Sequence, residues 1–322
     1  MKLVVQIPCL NEAQSLPQVV ADVPKEIPGI DEIEILVIDD GSTDGTAEAA
    51  RLAGVQHILR LRRNQGLARV FVLGLSAAVR LGADVIVNFD ADNQYRGADI
   101  PRLIAPILAG EADMVIGDRE VHSVEHFSPS KRVLQQLGSW VVRKVSATDV
   151  PDATSGFRAL SREAALRMNV VTEFTYTLET IIQAGKQRLA LRHVAVTTNP
   201  QRRPSRLFSN TWDYLKRSTA SLLRIYTHYE PLKTFLMLGL TFLSVGVLIG
   251  LRFLYGYWLG YGHGRVQSLI LAAVLLIVGM QVILIGLIGD TIAANRRLTE
   301  EILYLQRKAE ERAERARPEG GR

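Results

Sequence analysis

The chain has 322 residues, 48% of them hydrophobic, with a formal net charge of +5 and one cysteine. That size supports one large domain or two smaller ones around a buried core. The lone Cys9 excludes an intramolecular disulfide and a zinc site built on thiolates, and no compact basic domain with interleaved aromatics points to a nucleic acid.

Met1-Lys2 leads without a signal-peptide pattern into a strand over Leu3 to Ile7, so the first domain is expected in the cytoplasm. Residues 13–23 read as a helix, and Ile33 to Ile38 as a strand ending in Asp39-Asp40. A helix over 44–53, a strand over 55–61 and a helix over 66–81 follow. Val85 to Phe89 is a strand ending at Asp90, and Met114 to Ile116 is another. Strands alternating with helices predict an α/β fold with a Rossmann-like, mostly parallel sheet covered on both faces. Lys131 and Arg132 open a predicted helix to about 145; residues 159–186 read as helix and 189–198 as strand. Residues 209–230 form a predicted amphipathic interfacial helix, with Trp212, Leu215, Leu222, Leu223 and Tyr226 on one face.

The chain then changes character. Residues 234–258 and 266–289 contain long charge-free runs, enough to predict two transmembrane helices in a hairpin. Basic residues gather at 202–224 and 296–317, beside these runs, which suits an anionic bilayer surface or a phosphorylated substrate. Positive-inside places the charged tail, 290–322, and with it the domain 1–208, on the cytoplasmic side of a multi-pass cell-membrane protein.

Three polar clusters fall at strand ends: Asn11-Glu12, Asp39-Asp40 and Asp90-Ala91-Asp92. Open α/β sheets bind ligands outside the carboxyl ends of their strands. In an extended segment residues i and i+2 point the same way, so Asp90 and Asp92 suit one hard divalent cation, with Gln94 as a further oxygen donor. Asp39 to Thr46 reads as a strand end, a glycine turn and a helix cap, with two adjacent acids able to accept from a base or a ribose. It matches neither a P-loop nor a dinucleotide fingerprint.

Ile7-Pro8-Cys9-Leu10-Asn11-Glu12, Asp39 to Thr46 and Asp90-Ala91-Asp92-Asn93-Gln94, in that order, resemble family 2 glycosyltransferases with the GT-A fold. Thr154-Ser155-Gly156-Phe157-Arg158 and the basic stretch Arg202 to Leu207 resemble the polyprenyl-phosphate group, the dolichol-phosphate mannose synthases and undecaprenyl-phosphate glucosyltransferases. The resemblance covers residues 1–230, and the hairpin matches the membrane-anchored members. Asn93 stands where a leucine is frequent, and Gly66-Leu67-Ala68-Arg69 replaces a more glycine-rich stretch.

The resemblance implies a nucleotide pocket lined by Pro8, Asn11, Glu12, Asp39, Asp40, Asp90 and Ala91. It implies Mg²⁺ or Mn²⁺ held by Asp90, Asp92 and Gln94, catalytic roles for Asp92 and Glu179, and an acceptor phosphate held by Arg119, Arg132, Ser155 and Arg203. The expected activity is inverting transfer of a hexose from a nucleotide-sugar, UDP favoured over GDP, to a polyprenyl phosphate at the cytoplasmic membrane face. Homo-oligomers are compatible with the family, and the helix at 298–316 is either part of such a contact or a solvated extension. Two other readings compete. A processive polysaccharide synthase would use a Gln-x-x-Arg-Trp motif, which the sequence lacks. A non-catalytic scaffold with a vestigial nucleotide site would not need Asp90, Asp92 and Gln94 together.

Overall fold

The structure is a computed structural model that describes residues 1–119, 142–143, 146, 148–170, 176–199, 227, 229–260 and 266–315. Two compact units emerge: Met1–Ser221 together with Glu301–Arg322, and Leu222–Glu300.

The first unit is built on a seven-stranded sheet: β1 (Lys2–Cys9), β2 (Glu32–Asp39), β3 (His57–Arg60), β4 (Val85–Asn88), β5 (Met114–Asp118), β6 (Arg158–Ser161) and β7 (Leu191–Ala195). Its order is β3-β2-β1-β4-β6-β5-β7. The β1 pairings with β2 and β4, and those of β2 with β3 and β5 with β7, are parallel, while β6 runs antiparallel between β4 and β5. The mostly parallel α/β expectation holds. Central strands of such a sheet are covered on both faces, so they read as continuous apolar runs and not as an apolar/polar alternation. In β1 the consecutive Leu3, Val4 and Val5 are all buried, as is Ile7.

Helices α1 (Leu16–Asp22), α2 (Thr46–Leu52), α3 (Leu67–Arg80) and α4 (Ile100–Leu108) fill the crossovers. The α4 helix starts on Pro101 in its first turn, where a missing N–H costs nothing. Its buried side, Ile100, Leu103, Ile104 and Ile107, joins the core with Leu16, Val19, Val87 and Phe157.

Residues 159–186 are not one helix. The segment opens with β6, continues as α5 (Arg162–Arg167) and resumes as α6 (Tyr176–Lys186). Ala159 and Leu160 pair with Val87 and Ile86, so sheet hydrogen bonding overrides the helix propensity of the Ala- and Leu-rich run. Ser161 then caps α5, its side chain accepting from the Ala164 N–H at 3.1 Å.

The second unit holds α7 (Pro231–Trp258) and most of α8 (Val266–Arg315). Both helices are long and apolar enough to cross a membrane, and most of each apolar window is exposed, unlike a soluble core helix. Small residues let the helices approach. A Cβ at Gly239 would lie 2.8 Å from the Gly279 carbonyl, and one at Gly286 would lie 2.8 Å from Phe235 Cβ.

The last turns of α8 belong to the first unit, where they pack on α5 instead of standing free in solvent. Tyr304, only 6% exposed, donates its hydroxyl to Glu163 at 2.6 Å, and its ring lies 4.1 Å from the Arg167 guanidinium carbon. Arg307 donates to the carbonyls of Leu166 and Met168 at the end of α5, and Arg162 pairs with Glu311 at 2.8 Å. The expected amphipathic helix at 209–230 lies almost wholly outside the described residues, as does most of the expected helix at 131–145.

Candidate active site

The parallel strands β1, β2 and β4 end side by side, and the loops that follow them interlock. Asn11 adopts a left-handed φ of 56°, a region short polar side chains tolerate. Its N–H donates to Ser42 Oγ at 2.9 Å, and its Oδ1 accepts from the Thr43 N–H at 2.9 Å. The Glu12 N–H donates to Thr46 Oγ1, and its carboxylate accepts from Ser15 Oγ at 2.6 Å. Pro8 sits within β1, in register with Ile38.

The two acids of the second cluster have separate tasks. Asp39 is fully buried; Oδ1 accepts from the Ser42 N–H, and Oδ2 lies 3.4 Å from Arg60 Nε. Asp40 accepts from the backbone N–H groups of Gln65 and Gly66 at 2.7 and 2.9 Å, which anchors the start of α3. Its first structural role is therefore to seat a helix terminus beside the strand ends.

The third cluster follows β4. Asn88 donates to the Gly156 carbonyl at 2.9 Å and the Tyr176 hydroxyl at 3.3 Å, and reaches Asp90 Oδ1 at 3.5 Å. Burial, and then the charge of Asp92, push the Asp90 carboxyl up to about 7, against the opposing pull of Arg119 and Arg158. Ala91 is buried between them in sequence. Asp92 is exposed and accepts from the Gln94 N–H at 3.0 Å.

No group of three or more His, Cys, Asp or Glu side chains gathers as a metal cage among the described residues. Mg²⁺ needs no such cage, because one or two carboxylates with water and substrate phosphates complete its shell. The mutual repulsion of Asp90 and Asp92 is what a bound dication relieves, so this donor set fits one. Gly156 keeps the space open: a Cβ there would lie 2.5 Å from Asp90 Oδ2 and 3.0 Å from the Tyr176 hydroxyl.

Arg119, just after β5, comes to the same edge. It grips Asp152 bidentately, Nε to Oδ2 at 2.7 Å and Nη2 to Oδ1 at 3.1 Å, and Nη2 also reaches Thr154 Oγ1 at 2.8 Å. Burial alone would raise the Asp152 carboxyl, but the Arg119 charge holds it below the usual range. Ser155 is fully buried, its Oγ 3.3 Å from the Tyr95 hydroxyl, which also accepts from the Gly156 N–H. Glu179 is fully buried on α6, 3.5 Å from Gln183 Nε2. Arg132 and Arg203 lie outside the described residues.

Sequence reasoning gives no role to Asp152, Tyr95 or Arg158. Arg158 is fully buried and donates to the carbonyls of Ser155 at 2.8 Å, Thr177 at 2.7 Å and Ala153 at 3.1 Å. Burial lowers its guanidinium to about 10, still charged at neutral pH. It ties the loop before β6 to the start of α6. An arginine inside the Ser155-Gly156-Phe157-Arg158 stretch is the available signal; Asp152 has none, because its partner lies 33 residues away.

Comparison with known proteins gives the family and the fold. The chain is 28% identical over 204 residues to an undecaprenyl-phosphate mannosyltransferase of Micrococcus luteus, covering 61% of this chain and 82% of that one. It is 26% identical over 300 residues to glycosyltransferase AglJ of Haloferax volcanii, covering 90% and 93%. Among solved structures, glucosyl-3-phosphoglycerate synthase from Mycobacterium tuberculosis, in complex with Mn²⁺, UDP-glucose and phosphoglyceric acid, superposes with a TM-score of 0.55 at 21% identity. That match covers 69% of this chain and 79% of the other, and it shows a shared fold. The model of glycosyl transferase family 2 matches residues 4–167, half of the chain, and the chain belongs to that family.

Proposed function

We propose that this glycosyltransferase transfers a hexose from a nucleotide-sugar to a polyprenyl phosphate at the cytoplasmic face of a membrane. The observation that carries the reading is the meeting, at one sheet edge, of the paired carboxylates Asp90 and Asp92 with a guanidinium, Arg119, locked in place by Asp152. One half suits a cation on a leaving diphosphate, the other an anionic acceptor. Relatives named for undecaprenyl-phosphate and dolichyl-phosphate acceptors support the acceptor class.

In this scheme an acceptor phosphate oxygen attacks the anomeric carbon. The bond from that carbon to the diphosphate oxygen breaks, and its electron pair leaves with the nucleoside diphosphate. A phosphate monoester is already anionic near neutral pH, so no general base is required, and one in-line displacement inverts the anomeric centre. Catalysis then rests on positioning and charge. Mg²⁺ or Mn²⁺, held by Asp90, Asp92 and Gln94, would supply Lewis-acid neutralisation of the leaving group. Pro8, Asn11, Glu12, Asp39, Asp40 and Ala91 would shape the nucleotide pocket. Arg119, whose hydrogen bonds to described residues run through Nε and Nη2, would offer Nη1 to the acceptor phosphate. Arg132 and Arg203 are assigned beside it from the sequence. Ser155, fully buried, is assigned to the acceptor-phosphate site, and Asp92 and the fully buried Glu179 are assigned catalytic roles from the sequence.

The two exposed apolar helices support a membrane-spanning hairpin, with the tail and the catalytic unit on the cytoplasmic side. A UDP-hexose is the favoured donor by fold-level analogy with membrane-anchored members of the family; relatives named for mannose transfer make GDP-mannose the arm to test against it. The test is glycolipid formation by the purified full chain with Mn²⁺ or Mg²⁺, a short polyprenyl phosphate and a panel of UDP- and GDP-sugars, followed by mass spectrometry. One donor giving product that Asp92→Ala abolishes supports the reading. Product undiminished in Asp92→Ala, or none from any donor, refutes it.

A further inference from the structure

The loop that carries Asp92 and Gln94 is held from two sides. From within, the Tyr95 ring is buried and stacks on Phe157 with centroids 5.0 Å apart. From outside, the segment after β7 closes over it. Thr197 donates its N–H and its hydroxyl to Asp99 Oδ2, both at 2.8 Å, and Thr198 bridges to Tyr95.

Asn199, in the same segment, makes three hydrogen bonds, all to the loop. Its N–H donates to the Gln94 carbonyl at 2.8 Å, its Nδ2 donates to the Asn93 carbonyl at 3.1 Å, and its Oδ1 accepts from Arg96 Nε at 3.0 Å. The Asn93 carbonyl is presented this way because Asn93 sits at a left-handed φ of 60°. That turn is what lets the Gln94 N–H fold back onto Asp92 Oδ1 at 3.0 Å. Asn199 thus fixes the peptide groups on either side of Gln94, and through them the direction of the Asp92 carboxylate. The Thr197 contacts are made elsewhere, to Asp99, while the Thr198 bridge reaches the loop only at the Tyr95 backbone.

We propose that Asn199 is a positioning residue for the cation: its side chain holds the 93–96 backbone in the turn that would aim Asp92 and Gln94 at a divalent ion accompanying a nucleoside diphosphate. The inference rests on the proposed metal role of Asp90, Asp92 and Gln94. Residues that orient metal ligands typically change metal affinity by about 10- to 100-fold when removed. With two side-chain hydrogen bonds at stake, about tenfold is expected for Asn199→Ala.

The test is Mn²⁺ binding, followed by electron paramagnetic resonance of the free ion, to the purified full chain in the presence of UDP or GDP and without acceptor. Asn199→Ala and Asn199→Asp are compared with Thr197→Val, which loses a hydroxyl bond in the same segment but none to the loop. Asn199→Asp is isosteric and keeps the acceptor for Arg96, so it reports even if the alanine variant does not fold. The expected result is Mn²⁺ binding weakened about tenfold in both Asn199 variants and within about twofold of wild type in Thr197→Val, whatever each does to the melting temperature. Equal weakening in Thr197→Val, or unaltered binding in Asn199→Asp, would show mere structural support and overturn the inference. A wild-type chain that holds no Mn²⁺ with either nucleotide would overturn both this and the metal role beneath it.

Discussion

Replacing Asp152 by Asn probes how the proposed acceptor side is built. The Arg119–Asp152 pair has side chains only 13% and 1% exposed, bidentate geometry at 2.7 and 3.1 Å, and Thr154 as a third contact. Asn keeps the shape but removes the charge, leaving a guanidinium that is largely out of water without its counter-ion. Breaking a buried pair by removing one partner costs about 3–5 kcal/mol. Thr154 and the residual amide acceptor favour the lower end, about 3 kcal/mol. At roughly 2–4 °C per kcal/mol for a unit of this size, the catalytic unit should melt roughly 6–12 °C lower. The loss should depend on pH. The Asp152 carboxyl is held below its ordinary value, so its contribution is present above the unfolded pKa of about 3.9 and lost as pH falls through the lower native value. The wild-type advantage should therefore close on acidification below about pH 4. Thermal melts of both proteins between neutral and acid pH, followed by a probe of the catalytic unit, measure this. Equal melting temperatures at neutral pH, or a gap that stays constant into acid, would refute the reasoning.

Gly156→Ala drives a methyl against Asp90 Oδ2, so Mn²⁺ binding should weaken by about tenfold or more, while overpacking costs only about 1–3 kcal/mol of stability; calorimetric metal titration beside a melt separates the two. With its pKa raised to about 7, Asp90 favours folding of the cation-free protein most below about pH 4, and that contribution disappears as pH rises through about 7. Mn²⁺ with a nucleoside diphosphate should thus raise the melting temperature more at about pH 8 than at about pH 5, and Asp90→Asn should remove the difference. Tyr304→Phe loses the hydrogen bond to the Glu163 carboxylate, about 1.5–3 kcal/mol, together with the one accepted from Lys308 Nζ, and Tyr304→Ala also loses the ring over Arg167; the alanine variant should melt lower than the phenylalanine variant in the same assay.

Much of the catalytic unit is legible in the sequence because its signals are local. Apolar runs bounded by Asp39-Asp40 and Asp90 mark strands whose ends carry the polar clusters; the observed strand Glu32–Asp39 ends on the first of these acids, and Val85–Asn88 stops two residues short of Asp90. What escapes is set by distant pairing. Ala159 and Leu160 look helical until Val87 and Ile86 are beside them. The α4 helix is hidden in the sequence, since Pro101 and Pro106 interrupt its pattern; only the fold shows that one opens the helix and the other is carried within it. At the site, Asp90-Ala91-Asp92 is visible as a spacing, but the clamp of Asp152 on Arg119 and the grip of Asn199 on Asn93, Gln94 and Arg96 join residues far apart in the chain. The charged tail shows the same limit. Its i,i+4 charge pattern leaves open an oligomer contact or a solvated extension, yet Tyr304, Arg307 and Glu311 make their contacts on α5.

The central claim is that a phosphate oxygen of the acceptor forms the new bond to the sugar. The direct measurement uses polyprenyl phosphate labelled with ¹⁸O in its phosphate, the donor identified in the panel, and mass spectrometry of every product. The account predicts a sugar-phospholipid that keeps all of the label, an unlabelled nucleoside diphosphate and an inverted anomeric centre. Loss of label from the glycolipid, sugar released to water, or transfer to an acceptor hydroxyl with the phosphate untouched would contradict it.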